Sequence, residues 1–251
     1  MKNRGSILSI RKMTIIGVLA SISIVLGLTP LGFIPVGPTR ATIMHIPVII
    51  GAIMEGPLVG AMIGLIFGLF SIFKAITRPT PVSFVFLNPM VSVLPRILIG
   101  ILTYYGYRVL RDLKEREILW LLSLILGSII VYLGYGIYSN IVGDGSIWIS
   151  LINGILILLT LGVGIYGRRQ LKGRTMDIII AAMIGTLTNT VGVLSSIYFL
   201  YGERFVIEMG QDPSMARKII LGIGIANGVP EMILGVIVVG NVIGVLKSSK
   251  A

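Results

Sequence analysis

The sequence predicts an all-α integral membrane protein of about eight spans, and three observations carry that prediction. Hydrophobic residues make up 55% and charged residues 12% of the 251, and the mean hydropathy of +0.99 lies far above that of soluble domains. Apolar segments of roughly 20 residues recur, each long enough as a helix to cross about 30 Å of hydrocarbon. Strand alternation at barrel spacing is lacking, so backbone polar groups inside lipid must be satisfied within helices.

The first apolar run, Met13 to Leu31, follows Lys2, Arg4, Arg11 and Lys12. That start mimics a signal peptide, but no small-residue cleavage site precedes the Pro/Gly-rich loop, so an uncleaved first helix is expected. Gly17 and Ser21 lie four apart on it, a spacing that serves internal packing or the docking of a partner membrane protein. The second run, Ile43 to Met54, is short for a span. The third, Leu58 to Ile76, carries Gly56, Gly60, Gly64 and Gly68 on or just before it, a ridge that lets another backbone approach closely.

In the fourth run, Met90 to Tyr107, Asn88, Ser92 and Arg96 fall at successive i+4 positions. The fifth and sixth runs, Ile118 to Val142 and Ile147 to Tyr166, are joined by GDGS. Thr186, Asn189 and Thr190 share one face of the seventh, Ile178 to Leu200. The eighth, Ile219 to Leu246, holds Asn227 and Glu231 one turn apart, with Pro230 between them removing the N–H that would bond the Ala226 carbonyl and predicting a kink. Asp212 before Pro213 reads as the cap that starts this last helix.

Charge orients the runs. If the short second run crosses, 14 of the 20 Lys/Arg other than Arg96 fall on one side, together with both termini. The positive-inside rule makes that side the cytoplasm and the chain a multi-pass protein of the cell membrane.

Several function classes drop out. Without cysteine there are no disulfides, thiolate nucleophiles or cysteine metal sites, and one histidine excludes multi-His metal centres, so no metal or cofactor is expected. The net charge of +11 lies in short clusters between apolar runs and not on one face, which argues against nucleic acid. Gly162, Gly164 and Gly167 match a dinucleotide fingerprint in letters only, since no strand precedes them. Walker A is absent, as are paired in-membrane carboxylates and an inverted repeat, so the chain shows no engine of its own. His45 reads as a capping or packing residue, and Glu55 in EGP as part of a cytoplasmic turn, with Pro57 opening the next helix.

Ionisable residues within a span cost about 2.5–3.5 kcal/mol each on insertion scales. Arg96 and Glu231 are two such residues, and with Asn88, Ser92, Thr186, Asn189, Thr190 and Asn227 they outline a polar pocket open to the outside. The competing reading is that Arg96 and Glu231 neutralise one another while the amides and hydroxyls bond helix to helix.

Four blocks, ATIMHIPVIIGAIMEGPLVGAMIGLIFGL, SFVFLNPMVSVLPRILIGI, IGTLTNTVGVL and IANGVPEMILG, resemble in residues and order the substrate-binding S component of energy-coupling factor (ECF) transporters. More narrowly, they look like the branch that includes the pantothenate transporter subunit. The resemblance covers nearly the whole chain except residues near Glu117 to Thr175. It implies a single membrane domain over residues 1–251, a six-helix bundle with a transmembrane hairpin inserted over residues 117–175.

The same resemblance implies partners, a transmembrane coupling protein and two ATPases in the surrounding lipid, and a vitamin caught from outside and released inward as the loaded subunit topples. It places the substrate between the outer loops and the fourth, seventh and eighth runs. For pantothenate, an anion with hydroxyls and an amide, Arg96 would suit the carboxylate and Asn189 and Asn227 the hydroxyl or amide groups. Glu231 would fix Arg96 or accept from a hydroxyl. Where the family's first helix often offers Ala-x-x-x-Ala to the coupling protein, this chain has Ala20 and Ile24, and only Gly17 and Ser21 keep a small-residue spacing. Another vitamin or a self-powered secondary carrier are the rival readings; an intramembrane enzyme lacks a nucleophile–base pair.

Overall fold

The computed structural model describes residues 9–36, 39–142, 147–170 and 176–248. The GDGS connection, the basic residues Lys2, Arg4, Lys172, Arg174 and Lys250, and part of the RRQLKGR cluster therefore lie outside the described residues. Each predicted run is helical: α1 (Ile10–Leu28), α2 (Ile46–Glu55), α3 (Pro57–Thr77), α4 (Pro89–Ser92), α5 (Leu94–Arg111), α6 (Glu115–Val142), α7 (Ile147–Gln170), α8 (Met176–Glu208) and α9 (Ala216–Ser248). Six of these segments, with α4 and α5 counted together, are long and apolar enough to cross a membrane among the described residues, against the eight expected. Of the other two, α2 has ten residues, and the apolar stretch described in α7 is Ser150–Gly162.

At 1.5 Å per residue α2 is about 15 Å long, half of the hydrocarbon thickness. The connection from α1 to α2 holds a hairpin. Phe33–Val36 (β1) and Thr39–Thr42 (β2) pair antiparallel, Phe33 opposite Thr42 and Val36 opposite Thr39, and the end of β2 reaches Glu231 near the middle of α9. Non-helical backbone at membrane depth is tolerated where protein encloses it. Enclosure also explains how α2 can be short, since Ile46 through Ile53 are all buried and the helix faces protein on every side.

Between α2 and α3 the chain turns at Gly56, whose φ of 102° suits glycine, and Pro57 opens α3 as expected. Glu55 does more than turn the chain, because its carboxylate meets Arg11 of α1 at 2.9 Å. With Arg11 66% exposed, that ion pair adds little stability by itself.

The ridge of α3 seats α5. A Cβ on Gly64 would fall 2.1 Å from the Arg96 carbonyl oxygen, and one on Gly100 would fall 2.3 Å from the Gly60 carbonyl carbon. Backbone on both sides leaves nothing that can rotate away. Gly64→Leu is therefore expected to separate α5 from α3, at more than the ~1–3 kcal/mol of ordinary overpacking, and to abolish the monodisperse folded peak in detergent size-exclusion chromatography. A wild-type peak and melting curve would refute this packing.

The polar ladder of the fourth run is interrupted. Pro95 lies in the first turn of α5, and Val93 separates that helix from the four-residue α4, so Asn88, Ser92 and Arg96 do not form one continuous stripe. Helix α9 passes through Pro230 as one helical segment. Helix α8 continues to Glu208, beyond the predicted end at Leu200. Asp212 caps the short 3-10 turn Pro213–Met215 ahead of α9, its Oδ1 accepting from the Ser214 N–H at 2.8 Å.

Bonding to the Ser214 hydroxyl and backbone N–H holds the Asp212 carboxyl below its usual range. A carboxyl lowered in the folded state contributes at neutral pH and loses its contribution as pH falls through the folded value. The protection of the Ser214 amide, its exchange measured against the intrinsic rate at each pH, is thus expected to fall on acidification, and Asp212→Asn should remove that pH dependence.

Helices α6 and α7 pack chiefly on each other. Against the rest of the bundle they contribute Ile118, Leu122, Leu133 and Leu156 to a core shared with the first turns of α8 and the middle of α9.

Candidate functional site

Glu231, 4% exposed, is held from two sides. Its Oε1 accepts from the Thr42 backbone N–H at 2.8 Å and from the Thr42 hydroxyl at 3.1 Å. Its Oε2 lies 3.1 Å from the Thr190 hydroxyl of α8. That hydroxyl is also 3.3 Å from the Thr186 carbonyl, but it has one proton, and the charged, nearer carboxylate is the better acceptor. One carboxylate thereby fastens the hairpin to α8 and α9.

Arg96 does not pair with Glu231: among the described residues the ion pair recorded is Arg11 with Glu55. Its guanidinium lies instead between two aromatic rings, 5.5 Å from the centroid of Phe67 and 5.9 Å from that of Phe86, with Nη1 donating to the Val91 carbonyl at the end of α4. It remains within electrostatic reach of both His45 and Glu231. The arginine is 6% exposed, and its Nε–H has no hydrogen-bond partner.

Other orphaned atoms accompany it. His45 Nδ1, Asn189 Oδ1 and Asn227 Oδ1 are buried without partners. An unsatisfied buried polar group costs about 1–3 kcal/mol, so these four need an explanation, as do the Ser23 and Thr103 hydroxyls, which are orphaned elsewhere. The arrangement offers an N–H donor, two amide oxygens and an imidazole nitrogen, from α5, α8, α9 and the start of α2. That set matches a small molecule carrying an anionic group and several hydroxyl or amide groups.

The remaining predicted residues are engaged with protein. Asn88 caps α4, accepting from the Met90 N–H at 2.9 Å, and donates to the Tyr201 hydroxyl at 3.0 Å. Ser92 donates to the Phe86 carbonyl, and Thr186 meets His45 Nε2 at 3.1 Å. His45 makes no side-chain cap bond, so of the two roles expected for it only packing remains, joined by its unpaired nitrogen. Thr42 was not singled out in the sequence, and a lone threonine in a loop gives no signal of a partner 189 residues away. Gly17 and Ser21 lie on the outward face of α1, where a Cβ at Gly17 would meet nothing within 4 Å. No cluster of three His, Asp or Glu able to hold a metal occurs among the described residues.

A separate groove of about 540 Å³ runs between α6, α8 and α9, lined mostly by apolar side chains. It touches the site only at Thr190, and its walls lack the orphaned donors and acceptors, so the polar cluster is the better place for a water-soluble ligand.

Comparison with known proteins agrees with this architecture. Residues 11–143, just over half of the chain, match the family model described as ECF transporter, substrate-specific component. Over 86 residues the chain is 38% identical to the pantothenic acid transporter PanT of Lactococcus lactis subsp. cremoris, a match covering 29% of this chain and 44% of that one. Over 78 residues it is 40% identical to the pantothenate transporter PanT of Leuconostoc mesenteroides subsp. mesenteroides, covering 31% and 38% respectively. The matches thus span less than half the length of either relative. With the family match extending from α1 through α6, the chain belongs to the substrate-specific components of ECF transporters.

Proposed function

We propose that this chain is the substrate-binding membrane subunit of an ECF-type importer and that its substrate is pantothenate. The observation that carries the reading is the set of unpaired buried groups, Arg96 Nε, Asn189 Oδ1 and Asn227 Oδ1, beside a hairpin fastened by Glu231. In this reading the substrate carboxylate lies on the Arg96 guanidinium, which already rests against Phe67 and Phe86 and needs little reordering to present its free N–H. Asn189 and Asn227 accept from the hydroxyl and amide N–H groups. Asn88, Ser92, Thr186 and Thr190 form the supporting shell, and His45 Nδ1 is an added contact. The names of the two relatives point to the same substrate.

The termini are cytoplasmic in this proposal, the hairpin end of the bundle faces outward, and α6 and α7 are an insertion that preserves topology because it adds an even number of crossings. Gly17 and Ser21 offer the exposed face of α1 to a transmembrane coupling protein, whose two ATPases supply the energy this chain lacks. Equilibrium dialysis of labelled pantothenate against the purified chain in detergent, with no ATP or partner, tests the core of the proposal. Saturable binding with Kd below 1 μM (about −8 kcal/mol) is expected. Folded protein that binds a different vitamin would refute the substrate, and one that binds none would refute the site.

A further inference from the structure

The groove between α6 and the α8–α9 pair is unrelated to the polar site in chemistry, and its shape follows from how the inserted hairpin packs. At one end α6 is seated by Ile118 and Leu122 against the first turns of α8. Further along, Ser128 and Tyr132 of α6 face Val191, Leu194 and Tyr198 of α8 across the open volume of about 540 Å³.

Along α9 the groove extends from Arg217 to Met232, sixteen residues and about 22 Å of helix rise. One leaflet contributes about 15 Å of hydrocarbon, so this length covers a headgroup level and one leaflet down to the midplane. Its deep end is apolar, with Ile225, Val229 and Met232. Tyr132 and Tyr198 also line it, and aromatic residues with a polar tip suit the interface. At the shallow end Arg217, exposed in the first turn of α9, makes no ion pair among the described residues.

We propose that the groove is a binding site for one anionic phospholipid, with an acyl chain between α6 and α8–α9 and the phosphate on Arg217. Charge complementarity selects this occupant: a neutral detergent or an apolar helix would fill the walls and leave the cation unmatched. The inserted hairpin is then one wall of a lipid site, a role independent of which substrate the subunit carries.

The test uses the full-length chain in bilayers, with Trp120 and Trp148 replaced by Phe and a single reporter introduced by Tyr132→Trp. Quenching by brominated phosphatidylglycerol is compared with quenching by brominated phosphatidylcholine, and Leu69→Trp, on an exposed face of α3, serves as the control position. Half-quenching at position 132 is expected at an about fivefold lower mole fraction of the glycerol lipid, the selectivity one surface cation supplies. No such preference is expected at position 69, and Arg217→Gln should remove the one at 132. Equal preference at both positions would mean bulk attraction by the net positive charge and would overturn the site. So would a preference that survives Arg217→Gln, or no quenching at 132 by either lipid. If Arg217→Gln does not fold, Arg217→Lys must keep the preference and Val191→Phe, which fills the groove, must lose it.

Discussion

Replacing Arg96 with alanine is expected to weaken pantothenate binding by two orders of magnitude or more. Removing one partner of a buried charged contact costs about 2–5 kcal/mol, and 1.4 kcal/mol is a factor of ten in Kd. The effect should be large because Arg96 is 6% exposed and makes no ion pair among the described residues, so its charge is free to meet a substrate carboxylate. Alanine also removes the bond from Nη1 to the Val91 carbonyl and the contacts with Phe67 and Phe86, and these hold the junction of α4 and α5.

Arg96→Lys separates the two roles. Lysine keeps the charge and much of the stem but loses the planar fork, so affinity should fall by a smaller factor while the melting temperature stays closer to wild type. Titration calorimetry on folded protein decides the matter: a Kd within twofold of wild type in Arg96→Ala would remove Arg96 from the carboxylate role.

Glu231→Gln is expected to speed substrate release by about tenfold with less effect on the fold. A hydrogen bond to a charged acceptor contributes about 1.5–3 kcal/mol and one to a neutral acceptor about 0.5–1.5, so the exchange weakens the fastening of β2 by roughly one factor of ten. Glutamine retains one oxygen for the Thr42 N–H, which lies 2.8 Å from the carboxylate in the wild type. Its amide would donate to Thr190 where the carboxylate now accepts. Hydrogen exchange at the Thr42 amide should rise in step with the release rate. Unchanged exchange alongside altered binding would show that Glu231 acts on the substrate directly and not through the hairpin.

Apolar periodicity was enough to locate the helices, because a segment surrounded by lipid or by other helices must satisfy its backbone within itself. The limits of α8 were not legible: the segment after Leu200 is polar enough to read as a loop, yet it continues as helix to Glu208 with Phe205 and Val206 buried against neighbours. The count of spans differed for a related reason. A ten-residue α2 enclosed by protein is too short to span by itself, and nothing in its own sequence tells that it follows a hairpin fastened to Glu231.

At the candidate site, i+4 arithmetic brought Asn227 and Glu231 to one face and grouped Thr186, Asn189 and Thr190. It failed for Asn88 and Ser92, where Pro95 breaks the register, and it could not choose a partner for Glu231, since a backbone N–H leaves no trace in a sequence. Orphaned atoms such as His45 Nδ1 become visible only when every neighbour has been placed.

Helix α2 has a mechanical consequence. Only Ile43, Met44 and His45 separate Thr42, tied to Glu231, from the first turn of α2, and the other end of this helix carries Glu55, tied to Arg11. A close-packed helix of ten residues compresses very little, so it behaves as a pushrod between the two ties. The stiff part of the path ends at Glu55: the tie to Arg11 is an exposed ion pair and yields easily, so an axial displacement of the hairpin reaches the α2–α3 turn before it reaches α1.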